Sequence, residues 1–109
     1  MSNIFADIPD VLPEELFTPL FQQDGIMIER IVSKGHSTPE GQWYDQAQDE
    51  WVILLQGQAV LVYEDAQQTL TVGDMVFIPA QTKHRVEWTA PDVHTVWLAV
   101  HLYKDLSGF

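Results

Sequence analysis

Gly73-Asp74-Met75-Val76-Phe77-Ile78-Pro79-Ala80-Gln81-Thr82-Lys83-His84 opens on a turn, runs through four apolar residues, stops at a proline and ends on an imidazole. Upstream, Glu50-Trp51-Val52-Ile53-Leu54-Leu55-Gln56-Gly57 brackets another apolar run between a carboxylate and a turn glycine. Each run is too short and too β-branched for a buried helix and suits a buried strand. One stretch supplies a carboxylate and the other an imidazole. The pairing suggests a small β-barrel whose mouth holds a metal or a small polar ligand.

Working outward, the same short-strand grammar fills most of the chain. Ile26, Ile28, Arg30 and Val32 alternate with Met27, Glu29 and Ile31, a period of two. Ser33 to Gln42 carries glycine and proline and reads as a loop. Trp51–Leu55 and Ala59–Tyr63 are apolar runs joined by Gln56-Gly57-Gln58, which reads as a tight hairpin. Thr69–Val72 and Met75–Ile78 are short strands on either side of Gly73-Asp74. In His84–Trp88 the alternation sets His84, Val86 and Trp88 on one side and Arg85 and Glu87 on the other, and Val93–Tyr103 forms a long last strand. Many short strands separated by turns predict an all-β sandwich or closed barrel.

Residues 1–25 read differently, as a flanking segment before a barrel over 26–109. Pro13 followed by Glu14 and Glu15 resembles the first turn of a short helix, with carboxylates at its positive end. Leu12, Leu16, Phe17 and Leu20 would give that helix an apolar side.

Length and charge narrow the function. At 109 residues the chain makes one domain. The absence of cysteine excludes disulfides, thiolate catalysis and Cys-based zinc sites. Five basic against 16 acidic residues give a net charge of −11, which repels phosphate backbones and anionic membranes. Neither nucleic acid nor membrane is an expected partner. With apolar runs too short to span a bilayer and no signal-peptide layout, a cytoplasmic protein is expected.

The two quoted stretches resemble the cupin family. Glu50 and Gly57 match the E-x6-G half of its first motif, and Gly73, Pro79 and His84 match its second motif, G-x5-P-x-G-x2-H-x3-N, at full spacing. The resemblance implies a double-stranded β-helix, or jelly-roll barrel, and a homodimer, with the faces of Ile26–Val32 and of the last strand as an apolar interface. It also implies a metal site of three histidines and one glutamate, of which Glu50 and His84 carry over. The two remaining histidines fall on Trp43 and Asp45 with a four-residue gap, or on Tyr44 and Gln46 with a three-residue gap. Gln81 stands where the motif has glycine and Trp88 where it has asparagine.

On this reading Glu50, His84 and Asp45 are the candidate metal ligands. His36, His101 and Gln46 are the reserve, and Mn, Fe, Ni or Zn suits one imidazole and two carboxylates. Trp43, Tyr44 and Trp88 are the candidate pocket walls. Three functions follow: a metal-dependent enzyme on a small substrate, a non-catalytic small-molecule-binding module, or a structural dimer with a filled barrel.

Overall fold

Alternation of inward and outward side chains builds eight strands in the computed structural model, which describes residues 2–103. They are β1 (Leu16–Gln23), β2 (Ile26–Ser33), β3 (Asp49–Gln56), β4 (Ala59–Tyr63), β5 (Gln67–Leu70), β6 (Met75–Ile78), β7 (His84–Thr89) and β8 (Thr95–Leu102). All pairings are antiparallel. A five-stranded sheet has the order β1-β2-β8-β3-β6 and a three-stranded sheet the order β5-β4-β7. The two enclose the core as a jelly roll. No helix among the described residues is long and apolar enough to cross a membrane.

The core follows from the period of two. On β3, Val52 and Leu54 turn inward, and β6 contributes Val76 and Ile78 while Phe77 faces out. They meet Leu61 of β4, Leu70 of β5, and Trp97 and Ala99 of β8. Leu54 is completely buried, so its truncation to alanine would cost about 2–5 kcal/mol.

Two expectations are corrected. The short helix after Pro13 does not form, because Leu16–Gln23 pairs with β2 as an edge strand. Pro19 would interrupt a helix there, whereas an edge strand tolerates its missing N–H. The register slips between Pro19 and Phe21, a bulge that absorbs it. The usable signal was Asp24-Gly25, the two-residue connection between paired Gln23 and Ile26, with Gly25 at φ +79°.

The second correction concerns Gln56-Gly57-Gln58. It is no hairpin: β3 pairs with β8 and β6, and β4 pairs with β5 and β7. The segment is the corner where the chain leaves one sheet for the other. Gly57 sits at φ +90°, and a Cβ there would lie 2.7 Å from the Thr95 Cα. Local sequence signals a sharp turn but does not say which strands it joins.

Candidate functional site

Between the sheets lies a cavity of about 130 Å³ with mainly apolar walls. Val52, Leu61, Val76, Val86 and Trp97 form much of that wall, and its polar residues include Glu15, Glu29, Tyr44, Gln46, Glu50, His84 and His101.

Glu50 faces inward because it shares the alternation of Val52 and Leu54, and it is only 6% exposed. His84 opens β7 and is 5% exposed. Its Nδ1–H donates to the Thr82 carbonyl at 2.9 Å, which fixes the ring. In the neutral ring, Nε2 then carries the lone pair. That nitrogen lies 3.9 Å from Glu50 Oε1, too far for a hydrogen bond. Two acceptors thus lie close enough for one donor group beside them to reach both.

The loop segment entering β3, which bridges to β7 at Tyr44, decides between the two motif alignments. Tyr44 and His84 exchange backbone hydrogen bonds of 2.8 and 3.0 Å, and their rings stack with centroids 5.5 Å apart. Gln46, two residues on, donates its Nε2–H to Glu50 Oε1 at 3.0 Å. The positions facing the cavity are therefore Tyr44 and Gln46. Burial raises the Tyr44 phenol above its ordinary pKa of 10.0, with further upward pushes from Glu15, Glu50 and Glu29, so the phenol stays neutral.

A second pair extends the polar end into a row. His101 lies directly across the ladder from Glu50 and from Met27, and Glu29 is the next residue on that face of β2. His101 Nε2 meets Glu29 Oε1 at 2.9 Å, and its Nδ1 meets the Gln48 amide at 3.2 Å. The hydrogen bond to Glu29 raises the His101 pKa above 6.5, burial opposes it, and the charges of Glu50 and Glu29 add to the rise. Both ring nitrogens are engaged, Nε2 with Glu29 and Nδ1 with the Gln48 amide, so His101 is held in place, whereas His84 has a nitrogen free.

Several expected residues lie elsewhere. Asp45 is exposed and does not line the cavity, whereas its neighbours Tyr44, which bridges to His84, and Gln46 do. Trp43 does not line the cavity either; at 39% it is as exposed as Tyr44 at 40%, and only Tyr44 contributes to the wall. Trp88 is 41% exposed. Val60 pairs with Trp88 while Leu61 pairs with Val86, so Glu87 is a bulge that reverses the alternation after Val86. His36 is a loop tie: its Nδ1 accepts from the Lys34 N–H at 2.9 Å, and its carbonyl accepts from the Thr89 hydroxyl at 2.6 Å. Tyr44 lines the cavity, as do Gln46 and His101 from the reserve. Glu29 was missed, although the alternation of β2 already put it on one face with Ile31.

Comparison with known proteins follows this geometry. The cupin domain model matches residues 29–101. A crystal structure from Ralstonia eutropha JMP134, whose proposed activity is that of a mannose-6-phosphate isomerase, is 44% identical with a TM-score of 0.91, covering 95% of this chain and 98% of that one. A cupin superfamily protein from Desulfitobacterium hafniense DCB-2 is 22% identical with a TM-score of 0.74, covering 89% and 84%. The EutQ protein of Clostridium difficile is 16% identical with a TM-score of 0.67, covering 85% and 72%. The sequence finds no match among curated proteins.

Proposed function

This chain belongs to the cupin family, and we propose that it uses the barrel interior to bind a compact small molecule, apolar over most of its surface and carrying a hydrogen-bond donor at one end. The observation that carries the reading is the facing pair of buried acceptors, His84 Nε2 and Glu50, at the polar end of an apolar cavity. His84 Nε2 has no described partner and Glu50 Oε1 is bonded only to the Gln46 amide, so a ligand's N–H or O–H would add a hydrogen bond at this point. A cavity this size holds about six heavy atoms, by comparison with benzene-binding cavities.

The residues present do not fit the metal cage that the family resemblance implied. Its two further imidazoles are replaced by Tyr44, a neutral phenol, and by Gln46, a neutral amide whose N–H is turned to Glu50, so neither supplies an imidazole nitrogen. Among the described residues no three His, Asp or Glu side chains form a metal-holding group. The reading is therefore of binding without a resident metal.

A second reading is proton transfer on the bound molecule, favoured by the Glu50–His84 spacing and by the isomerase activity proposed for the Ralstonia relative. Turnover assays on hydroxy-aldehydes, with His84→Gln as control, decide between binding alone and catalysis.

The test of binding is a fragment screen read by NMR at the Trp97 indole and the His84 ring. Hits are expected to move both signals in the wild type, and Val86→Trp, which fills the cavity, should abolish them. Hits that persist in Val86→Trp would refute the reading. Stoichiometric metal in protein purified without an affinity tag would refute its metal-free part.

A further inference from the structure

We propose that this cavity selects a small organic cation, a primary ammonium on a compact apolar body, and rejects anions, phosphate esters included. The inference rests on the binding reading above and names the class of its ligand.

Three carboxylates line the cavity, Glu15, Glu29 and Glu50. Against them stand two imidazoles, His84 and His101, and no lysine or arginine among the described lining residues. With both imidazoles neutral the wall carries −3; with both protonated it carries −3 + 2 = −1. No protonation state of the histidines makes it positive while the carboxylates are ionised. The cations closest in sequence are committed elsewhere. Arg30 donates to the Ile4 and Ala6 carbonyls and to the Thr18 hydroxyl. Arg85 donates to the Thr38 carbonyl and pairs with Glu87 at 3.0 Å. A phosphate dianion would enter a low-dielectric space of its own sign without a single fixed cation.

The hydrogen bonds point the same way. Each carboxylate is bonded through one oxygen: Glu15 Oε2 to the Ser33 hydroxyl at 2.6 Å, Glu29 Oε1 to His101 at 2.9 Å, and Glu50 Oε1 to Gln46 at 3.0 Å. The described bonds leave the other oxygen of each as an acceptor. His84, nine-tenths buried, adds the unpartnered Nε2 that faces Glu50. The lining also holds the Tyr44 hydroxyl and the Trp97 Nε1–H, for which no partner is described, but acceptors outnumber these donors, so a ligand rich in donors fits best. An ammonium brings three N–H donors and the opposite charge; a hydroxyl brings one donor and none.

The test uses three probes of one shape: cyclopentylamine, cyclopentanol and cyclopentanecarboxylate, with methyl phosphate, small enough for the cavity, as the phosphate ester. Calorimetry at pH 7.5 and low salt should give cyclopentylamine at least about tenfold tighter binding than cyclopentanol. Neither anion should bind detectably. Glu50→Gln should weaken the amine by about tenfold or more and change the alcohol little. Wild-type protein alone gives a second reading that needs no variant: salt raised from about 50 to about 500 mM should weaken the amine and spare the alcohol. Equal binding of amine and alcohol would overturn the charge selection and leave the cavity reading standing. Binding of either anion as tightly as the amine would overturn it too. Displacement of the amine by an equal concentration of manganese chloride would reassign the cation as a metal. If none of the three probes binds, both the class and the cavity reading fall.

Discussion

Glu29→Gln isolates the charge in the buried Glu29–His101 pair while keeping its shape. The two side chains are 12% and 7% exposed and meet at 2.9 Å, so solvent screens them little. A hydrogen bond to a charged partner contributes about 1.5–3 kcal/mol and a neutral one about 1 kcal/mol. The glutamine oxygen can still accept from Nε2–H, so the substitution removes the difference, about 0.5–2 kcal/mol. For a domain of this size that is about 2–9 °C in Tm. The pH dependence fixes the cause. The His101 pKa is raised in the folded state above its ordinary 6.5, first by the Glu29 bond. A raised histidine pKa contributes stability that is fully present below the unfolded value and is lost as pH rises through the folded one. The gap between wild type and Glu29→Gln should therefore be widest near pH 6 and should shrink by pH 9. Urea unfolding at both pH values, with NMR titration of the His101 Hε1 signal, measures it. A gap independent of pH, or a His101 titration unchanged by Glu29→Gln, would refute the pairing argument.

Gln81 adopts φ +62°, the left-handed region, where a side chain costs about 1 kcal/mol. Gln81→Gly should therefore be neutral or stabilising by up to about 1 kcal/mol in urea unfolding, and a clear loss would contradict the strain. Gly57→Val should destabilise by more than about 2 kcal/mol, since its Cβ would collide with the Thr95 backbone at an already unfavourable φ; a shift in urea midpoint below half of that would count against the corner argument. A homodimer through the outer face of β1 and β2 is expected, where Phe21 and Ile26 are exposed; light scattering should give a dimer mass for the wild type and a monomer for Phe21→Lys. A wild-type monomer at micromolar concentration would remove that interface.

What the sequence carried was periodicity and spacing. The alternation in Glu50–Leu54 and Met75–Ile78 settles both strands and the inward aim of Glu50, because side-chain direction along a strand is a strictly local property. The same property failed at Trp88, where one bulged residue, Glu87, reversed everything after it. Nothing in His-Arg-Val-Glu-Trp announces that extra residue. Topology was less accessible still. Gln56-Gly57-Gln58 looks like a hairpin, and only the positions of β8 and β7 show that the strands it joins find other partners. The amino-terminal strand was hidden for a different reason: Leu12, Leu16 and Leu20 satisfy a helical period by coincidence, and Pro19 was the residue that argued against it.

The site illustrates how a fold can keep positions while changing chemistry. In the pattern that Glu50 and His84 match, the loop entering β3 would bring two imidazoles to the same point in space. Here that loop brings Tyr44, which stacks on His84, and Gln46, which ties Glu50. Both replacements contact the surviving pair and neither adds an imidazole nitrogen. Losing two metal ligands would leave Glu50 as a buried, weakly compensated charge; the Gln46 amide donates to it, and His101, directly across the ladder, brings positive charge when protonated. His101 in turn is held by Glu29, and Glu15 by Ser33. Each polar group in the row is thus partly satisfied by a neighbour outside the inherited motif. The exception is His84 Nε2, which has no described partner, and so it is there, beside Glu50, that an incoming donor has the most to gain.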